Sequence, residues 1–174
     1  MNFNLNKSIE ILERTPASLY SLLNNVSEDW ILNNEGGQSW STYDIVGHLI
    51  HCDTDNWIPR IEIILAKSIV VQFDPLDRLA QIEKSKNKTL TDLLNEFIRV
   101  RSASIEKLRD LNISEEQLVK EAIHPELGIV NLSQLIATWV VHDLDHIAQI
   151  SRVMAKQYKN EVGPWIHYLK ILKI

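Results

Sequence analysis

The chain carries two histidines four residues apart near its C-terminal end, in the stretch "VVHDLDHIAQI" (residues 140–150). In an α-helix, His142 and His146 would lie about 40° apart around the axis and roughly 6 Å apart along it. Two imidazoles at this spacing can bind one divalent metal ion. Half-buried histidines with no ligand show the same spacing, so the pair alone leaves both interpretations open.

A catalytic metal site usually takes three protein ligands and leaves one coordination position open. His48, in "IVGHLIHCD", is the best candidate for the third ligand because it lies at the margin of an apolar helix face. His51 is the reserve candidate, although its projected direction is towards solvent. Cys52 could also bind a metal, but a free cysteine is more often a small buried core residue. His124 and His167 have no partner at a useful spacing.

Three charged residues project into otherwise apolar arcs of their helices, namely Asp53, Arg60 and Asp143. An unpaired buried charge is costly, so each of them is expected to have a partner. Asp143 is a candidate orienting group that would accept the ring proton of a metal-binding histidine, and a structural salt bridge is its alternative role. Arg60 is expected to pair with Asp53 or to contact an anionic substrate.

Long helices must position these side chains. Apolar residues recur at spacings of three and four over four stretches, and no comparable run alternates with period two, which predicts an all-α fold and a four-helix bundle. The predicted helices run from about residue 5 to 26, from a cap at Ser41 or Thr42 to Lys67, from Leu90 to Leu111, and from Leu132 to Tyr158.

Smaller features lie within and between these helices. Pro16 predicts a kink or restart within the first helix. A short helix is expected over about Leu76 to Glu83, and another after Ser114, whose spacing to Gln117 fits a capping box. The segment "HPELGIVN" is interpreted as a bridge to the fourth helix.

Size and composition set limits on the function. A chain of 174 residues with 45% hydrophobic content predicts one globular domain over residues 1–174. A net charge of −5, a pI of about 5.7 and scattered basic residues argue against nucleic-acid binding. Neither a secretory signal nor a membrane helix is recognisable, and one cysteine excludes an internal disulfide. We therefore expect a cytoplasmic protein that acts on a small molecule.

Four segments of the sequence carry a resemblance to a known family: "EGGQSWSTYDIVGHLIHCDTDNWIPRI", "FDPLDRLAQ", "HPELGIVNLSQLIATWVVHDLDHIAQISRVMAKQY" and "VGPWIHYLKIL". Their order and spacing resemble the DinB-like (YfiT-like) superfamily of metal-dependent enzymes, from about Leu12 to Leu172. The resemblance implies an up-down-down-up four-helix bundle with short extra helices, often a homodimer. It also implies a divalent metal held by three histidines, which fall on His48, His142 and His146.

Two functions are compatible with these observations. The first is an enzyme in which the metal activates a water or a low-molecular-weight thiol for hydrolysis of, or S-transfer to, a small molecule. The resemblance suggests the thiol version because members of the family include S-transferases and isomerases that use bacillithiol, mycothiol or glutathione, but the histidines alone do not indicate that chemistry. Nickel and zinc are the preferred metals, and iron and manganese also fit three imidazoles. The second function is a non-catalytic metal-binding or interaction bundle linked to a stress response.

Overall fold

The computed structural model of the protein describes residues 1–66 and 69–173. Its elements in chain order are α1 (Leu5–Leu23), α2 (Glu28–Leu32), α3 (Thr42–Cys52), α4 (Ile58–Ala66), α5 (Ala80–Ser85), α6 (Leu90–Asp110), α7 (Glu115–Leu118), β1 (Glu121–His124), β2 (Gly128–Asn131) and α8 (Leu132–Gln157). A π-helical turn, Asp53–Trp57, joins α3 to α4, and two 3₁₀ turns, Gly163–His167 and Lys170–Leu172, follow α8. The predicted helix end at Lys67 lies outside the described residues. Over those residues, no helix combines the length and the apolar character needed to cross a bilayer.

The four long helices form a bundle with two apolar core clusters. One cluster contains residues from the first half of α1, from α4, from the second half of α6 and from the first half of α8. The other cluster contains residues from the second half of α1, from α3, from the first half of α6 and from the second half of α8. Hence α1 and α8 run in one direction, while α3–α4 and α6 run in the other. This confirms the predicted all-α, up-down-down-up bundle. Because α4 and α6 are parallel neighbours, the chain between them returns along the bundle, and this crossover carries α5.

Capping side chains set where the helices begin. Four helices start with a box in which the N-cap side chain and the third helical residue bond each other's backbone. The pairs are Ser41 with Asp44, Thr89 with Asp92, Ser114 with Gln117, and Asn131 with Gln134. The second long helix is therefore capped at Ser41, and Ser114 opens the short α7 as predicted.

Helix α1 continues through Pro16 without the restart that the sequence suggested. Proline has no N–H, so the carbonyl of Leu12 loses its usual helical partner. The guanidinium of Arg101 replaces that partner and donates from Nη1 to the Leu12 oxygen at 2.8 Å. The helix ends at Leu23, before the predicted residue 26, because Asn24 is extended and Asn25 has a φ of 61°.

Two connecting segments differ from their predictions. The bridge before α8 is an antiparallel hairpin, in which Ala122 pairs with Val130 and Gly128, with a φ of 76°, closes the turn. The hairpin also holds the crossover, since the Phe73 N–H donates to the Ile123 oxygen at 2.9 Å. The short helix expected from Leu76 begins only at Ala80, because the Asp77 side chain accepts the Leu79 N–H and stabilises a turn there.

Candidate metal centre

The three predicted histidines meet in the bundle interior. Helix α3 supplies His48, and α8, which runs antiparallel beside it, supplies His142 and His146. The Nε2 atom of His142 lies 3.2 Å from that of His48 and 3.1 Å from that of His146. One ring nitrogen from each residue lies within 4.8 Å of the other two. The i, i+4 pair and the third histidine therefore form one cluster.

Burial favours the uncharged form of His48 and His146. His48 is 5% exposed and His146 is 8% exposed, whereas His142 is half-buried. Burial, followed by repulsion from the other two rings, lowers the pKa of His48 to about 3. Burial and repulsion from His142 also lower the pKa of His146. Neutral imidazoles have the lone pairs that a metal needs.

Hydrogen bonds orient the rings of α8. The Nδ1–H of His146 donates to Oε1 of Gln149 at 2.7 Å, so the proton sits on Nδ1 and the lone pair on Nε2. The Nδ1 atom of His142 is buried, and no group of residues 1–66 or 69–173 forms a hydrogen bond with it. It lies 4.0 Å from Oδ1 of Asp143, which exceeds hydrogen-bond distance. Asp143 therefore sits beside His142 without the predicted hydrogen bond.

The partner of Asp143 is Arg101, which the sequence reasoning missed. The guanidinium of Arg101 contacts Oδ2 of Asp143 at 2.5 Å and both oxygens of Asp53 at 2.6 and 2.8 Å. Trp139 Nε1 adds a bond to Asp53 at 3.2 Å. Burial disfavours charge on Arg101, but attraction to the two carboxylates raises its pKa above the usual value. Asp143 thus fills its alternative role, a structural ion pair. The sequence does contain one signal for this role, since Arg101 lies four residues after Phe97 and therefore on an apolar helix face.

Arg60 does not pair with Asp53, contrary to one of its two predicted roles. The π-helical turn between them breaks the regular spacing that placed both on one face. Instead, Arg60 Nη2 donates to the Asp74 oxygen at 3.0 Å, and its guanidinium lies 4.8 Å from the centre of the Phe73 ring. The interpretation of His51 as solvent-facing is also wrong, since it is 4% exposed and contacts the Asp77 oxygen at 2.8 Å.

Cys52 is a buried core thiol that also borders the histidines. Its Sγ lies 3.4 Å from Nε2 of His48 and 3.9 Å from Nε2 of His142. Burial, followed by the nearby charges of Asp53 and Asp143, raises its pKa to about 12. The thiol is therefore protonated at neutral pH in the bundle as it stands.

A cavity of about 460 Å³ extends from the three histidines towards the β-hairpin. This volume suits a small organic molecule. Trp40, whose ring centre lies 4.6 Å from that of His48, lines the cavity together with Trp57. Arg60 and His124 also line it, so His124, set aside in the sequence for lack of a partner, belongs to the site region.

Comparisons with known proteins agree with this architecture. A family model described as the DinB superfamily matches residues 11–150. Among solved structures, YfiT from Bacillus subtilis is similar with a TM-score of 0.73 and 22% identity, over 91% of this chain and 87% of that one. YfiT is described as a probable metal-dependent hydrolase with an unusual four-helix bundle topology, and at this identity the likeness concerns the fold. No curated protein matches the sequence significantly.

Proposed function

Because the chain belongs to the DinB superfamily, we propose that it is a metal-dependent enzyme that activates a water or a thiol for reaction with a small molecule. The main observation in support of this proposal is that three histidine Nε2 atoms converge at one end of a cavity large enough for a small molecule. His48, His142 and His146 are the proposed ligands. The description of YfiT as a probable metal-dependent hydrolase supports the same class of chemistry.

The donor set fits a divalent cation. Gln149 fixes the proton of His146 on Nδ1, so its Nε2 lone pair faces Nε2 of His142 at 3.1 Å. Ring nitrogens this close repel one another unless a proton or a metal cation lies between them, and a metal cation can engage all three at once. The buried cluster of Arg101 with two aspartates carries a formal charge of −1 beside His142, which also favours a cation. Nickel or zinc is the first choice, with iron or manganese as alternatives.

Each group of residues in the site has a separate role in such an enzyme. A bound divalent ion would act as a Lewis acid that lowers the pKa of a water or thiol. The histidines hold the metal, and Gln149 holds the His146 ring in the required tautomer. The cavity walls, which include Trp40 and Trp57, position the second reactant and limit access of bulk water.

Metal analysis tests the proposed centre. Protein purified without an affinity tag and analysed by mass spectrometry is expected to contain one equivalent of a divalent metal. His48→Ala, His142→Ala and His146→Ala should each lose most of it, whereas the exposed His167→Ala, as a matched control, should retain it. A folded wild-type protein that stays metal-free after incubation with nickel or zinc would instead favour the non-catalytic bundle.

Activity assays distinguish transfer from hydrolysis. An electrophilic aromatic chloride is offered with glutathione, bacillithiol or mycothiol, and an activated ester is offered without thiol. Turnover that needs the thiol indicates an S-transferase, and turnover of the ester alone indicates a hydrolase. The triple His→Ala variant should lose whichever activity is found; full activity in this variant would contradict the proposal.

A further inference from the structure

Arg60 brings a positive charge into the cavity without a carboxylate to balance it. The side chain is half-buried, and its polar contact is the single bond from Nη2 to the Asp74 oxygen at 3.0 Å. Over residues 1–66 and 69–173, no carboxylate lies within ion-pair distance of this guanidinium. Arg101, by contrast, is fully buried in the bundle and is paired with two carboxylates. A partly desolvated, unbalanced charge is costly, so its presence in a cavity wall points to an external anion.

Neighbouring groups do not neutralise this charge. Arg78 and Glu126 line the same cavity and face each other at 3.8 Å, with 71% and 72% of their side chains exposed. Among the Arg, Lys, Asp and Glu side chains that line the cavity, these two charges cancel, which leaves a net charge of +1 from Arg60. His124 adds a donor, because its Nδ1 accepts the backbone N–H groups of Glu126 and Leu127 and its proton must therefore lie on Nε2.

The rest of this part of the cavity is largely apolar. Its walls include Phe73, Leu76, Val130 and Leu135. A fitting molecule is therefore apolar over most of its surface and carries one acceptor group at the Arg60 end.

We propose that Arg60 binds the carboxylate of a small apolar organic acid, and that such acids are the substrates of the metal centre. A guanidinium pairs with a carboxylate through two parallel hydrogen bonds. A phosphate dianion would leave one negative charge unbalanced against a single arginine in this apolar setting, so a carboxylate fits better. The inference rests on the proposed function, since it assigns the substrate class of that centre.

Binding of two probes of equal shape tests the inference. Octanoate and octanamide are titrated into chelator-treated protein, because a carboxylate could otherwise bind a metal, and affinities are measured by calorimetry. Wild-type protein should bind octanoate about tenfold more tightly than octanamide, since the ion pair is available only to the acid. Arg60→Gln should remove most of this preference and leave octanamide binding unchanged. Arg109→Gln, which alters an exposed arginine outside this cavity, is the matched control and should keep the preference.

Equal affinity of the wild type for the two probes would overturn the inference, as would loss of the preference in Arg109→Gln but not in Arg60→Gln. If Arg60→Gln does not fold, Arg60→Lys replaces it: weaker octanoate binding is expected because lysine cannot form the two-bond contact, and unchanged binding counts against Arg60. Metal content is measured on each preparation before chelator treatment and again after incubation with nickel or zinc. A protein that binds no metal but prefers octanoate refutes only the proposed function, and a protein that binds metal but shows no preference refutes only the inference.

Discussion

The neutral side chain of Gln149 fixes the orientation and the tautomer of His146. It accepts the Nδ1–H of His146 at 2.7 Å and so directs the lone pair of that ring towards the other histidines. We predict that Gln149→Ala lowers metal affinity about tenfold or more while the helix content stays unchanged. Competition with a chromophoric chelator measures the affinity. Gln157→Ala, the same change further along α8, is the control; equal affinity in both variants would show that the tautomer does not depend on Gln149.

At this scale the sequence revealed the histidines better than their partners. The spacing of His142 and His146 places them on one helix edge, and that spacing holds in any regular helix. Arg101 and Gln149 were missed because their roles depend on distances across and along the packed bundle, which one-dimensional spacing does not contain. The metal itself remains a prediction, whereas the meeting of the three rings is observed.

Helices are tied together by the ion cluster around Arg101. This residue of α6 bonds Leu12 of α1, Asp53 of the π-helical turn and Asp143 of α8, so every long helix of the bundle takes part. It lies between the two apolar clusters as a polar layer.

We predict that Arg101→Met lowers the free energy of unfolding by about 3–5 kcal/mol, because two carboxylates are left buried without a cation. Urea denaturation measures this change. Adding Asp53→Asn and Asp143→Asn to that variant should recover part of the loss, since no buried charge then remains. Arg109→Met removes an exposed pair with Glu13 and should cost less than about 1 kcal/mol. A loss equally small for Arg101→Met would show that the ion cluster does not stabilise the packing of the helices.

The loop between α2 and α3 is fastened to α8 by Glu35. Its carboxylate accepts two bonds from Arg152 at 2.9 Å each and lies 2.7 Å from Nζ of Lys156. The hydrogen bond from Arg152 is the main cause that lowers the pKa of Glu35 from 4.5 to about 2. The depressed pKa means that the contact stabilises the fold fully above pH 4.5 and that this stabilisation disappears as the pH falls from 4.5 through about 2.

Thermal unfolding of Glu35→Gln tests this dependence. At pH 6 the variant should melt below the wild type, because the charged carboxylate is missing. The difference between the two melting temperatures should shrink as the pH falls below 4.5. A difference that stays constant from pH 6 down to pH 3 would mean that the Glu35 contact does not stabilise the fold through its charge.

Long helices were predictable from sequence, whereas short or irregular elements were mostly not. Long helices show several turns of periodicity and clear caps, whereas β1 and β2, at four residues each, are too short to show alternation. The π-helical turn is the reason why the sequence did not predict the partners of Asp53 and Arg60. These two residues are seven positions apart, so in a regular helix they would lie about 20° from each other around the axis. The extra residue in a π turn shifts one of them by about 100°.

A second copy of the chain is the remaining expectation for the whole molecule. The resemblance implies a homodimer, and large apolar side chains are exposed on this chain, among them Ile129 at 67%, Val141 at 64% and Trp165 at 70%. We predict twice the monomer mass by sedimentation equilibrium at micromolar concentrations. A monomer mass across that range would show that these side chains lie on a free surface.

The crossover between α4 and α6 has a consequence for how this fold diversifies. Parallel neighbours oblige the chain to travel back along a helix of 21 residues, about 30 Å. The crossover passes beside the histidines and supplies Phe73 and Leu76 to the cavity wall. Any protein with this topology must therefore have such a crossover, whatever its substrate. Exposed residues of the crossover can change without disturbing the core clusters. Natural selection can therefore exchange one substrate for another while the metal ligands and the bundle stay the same.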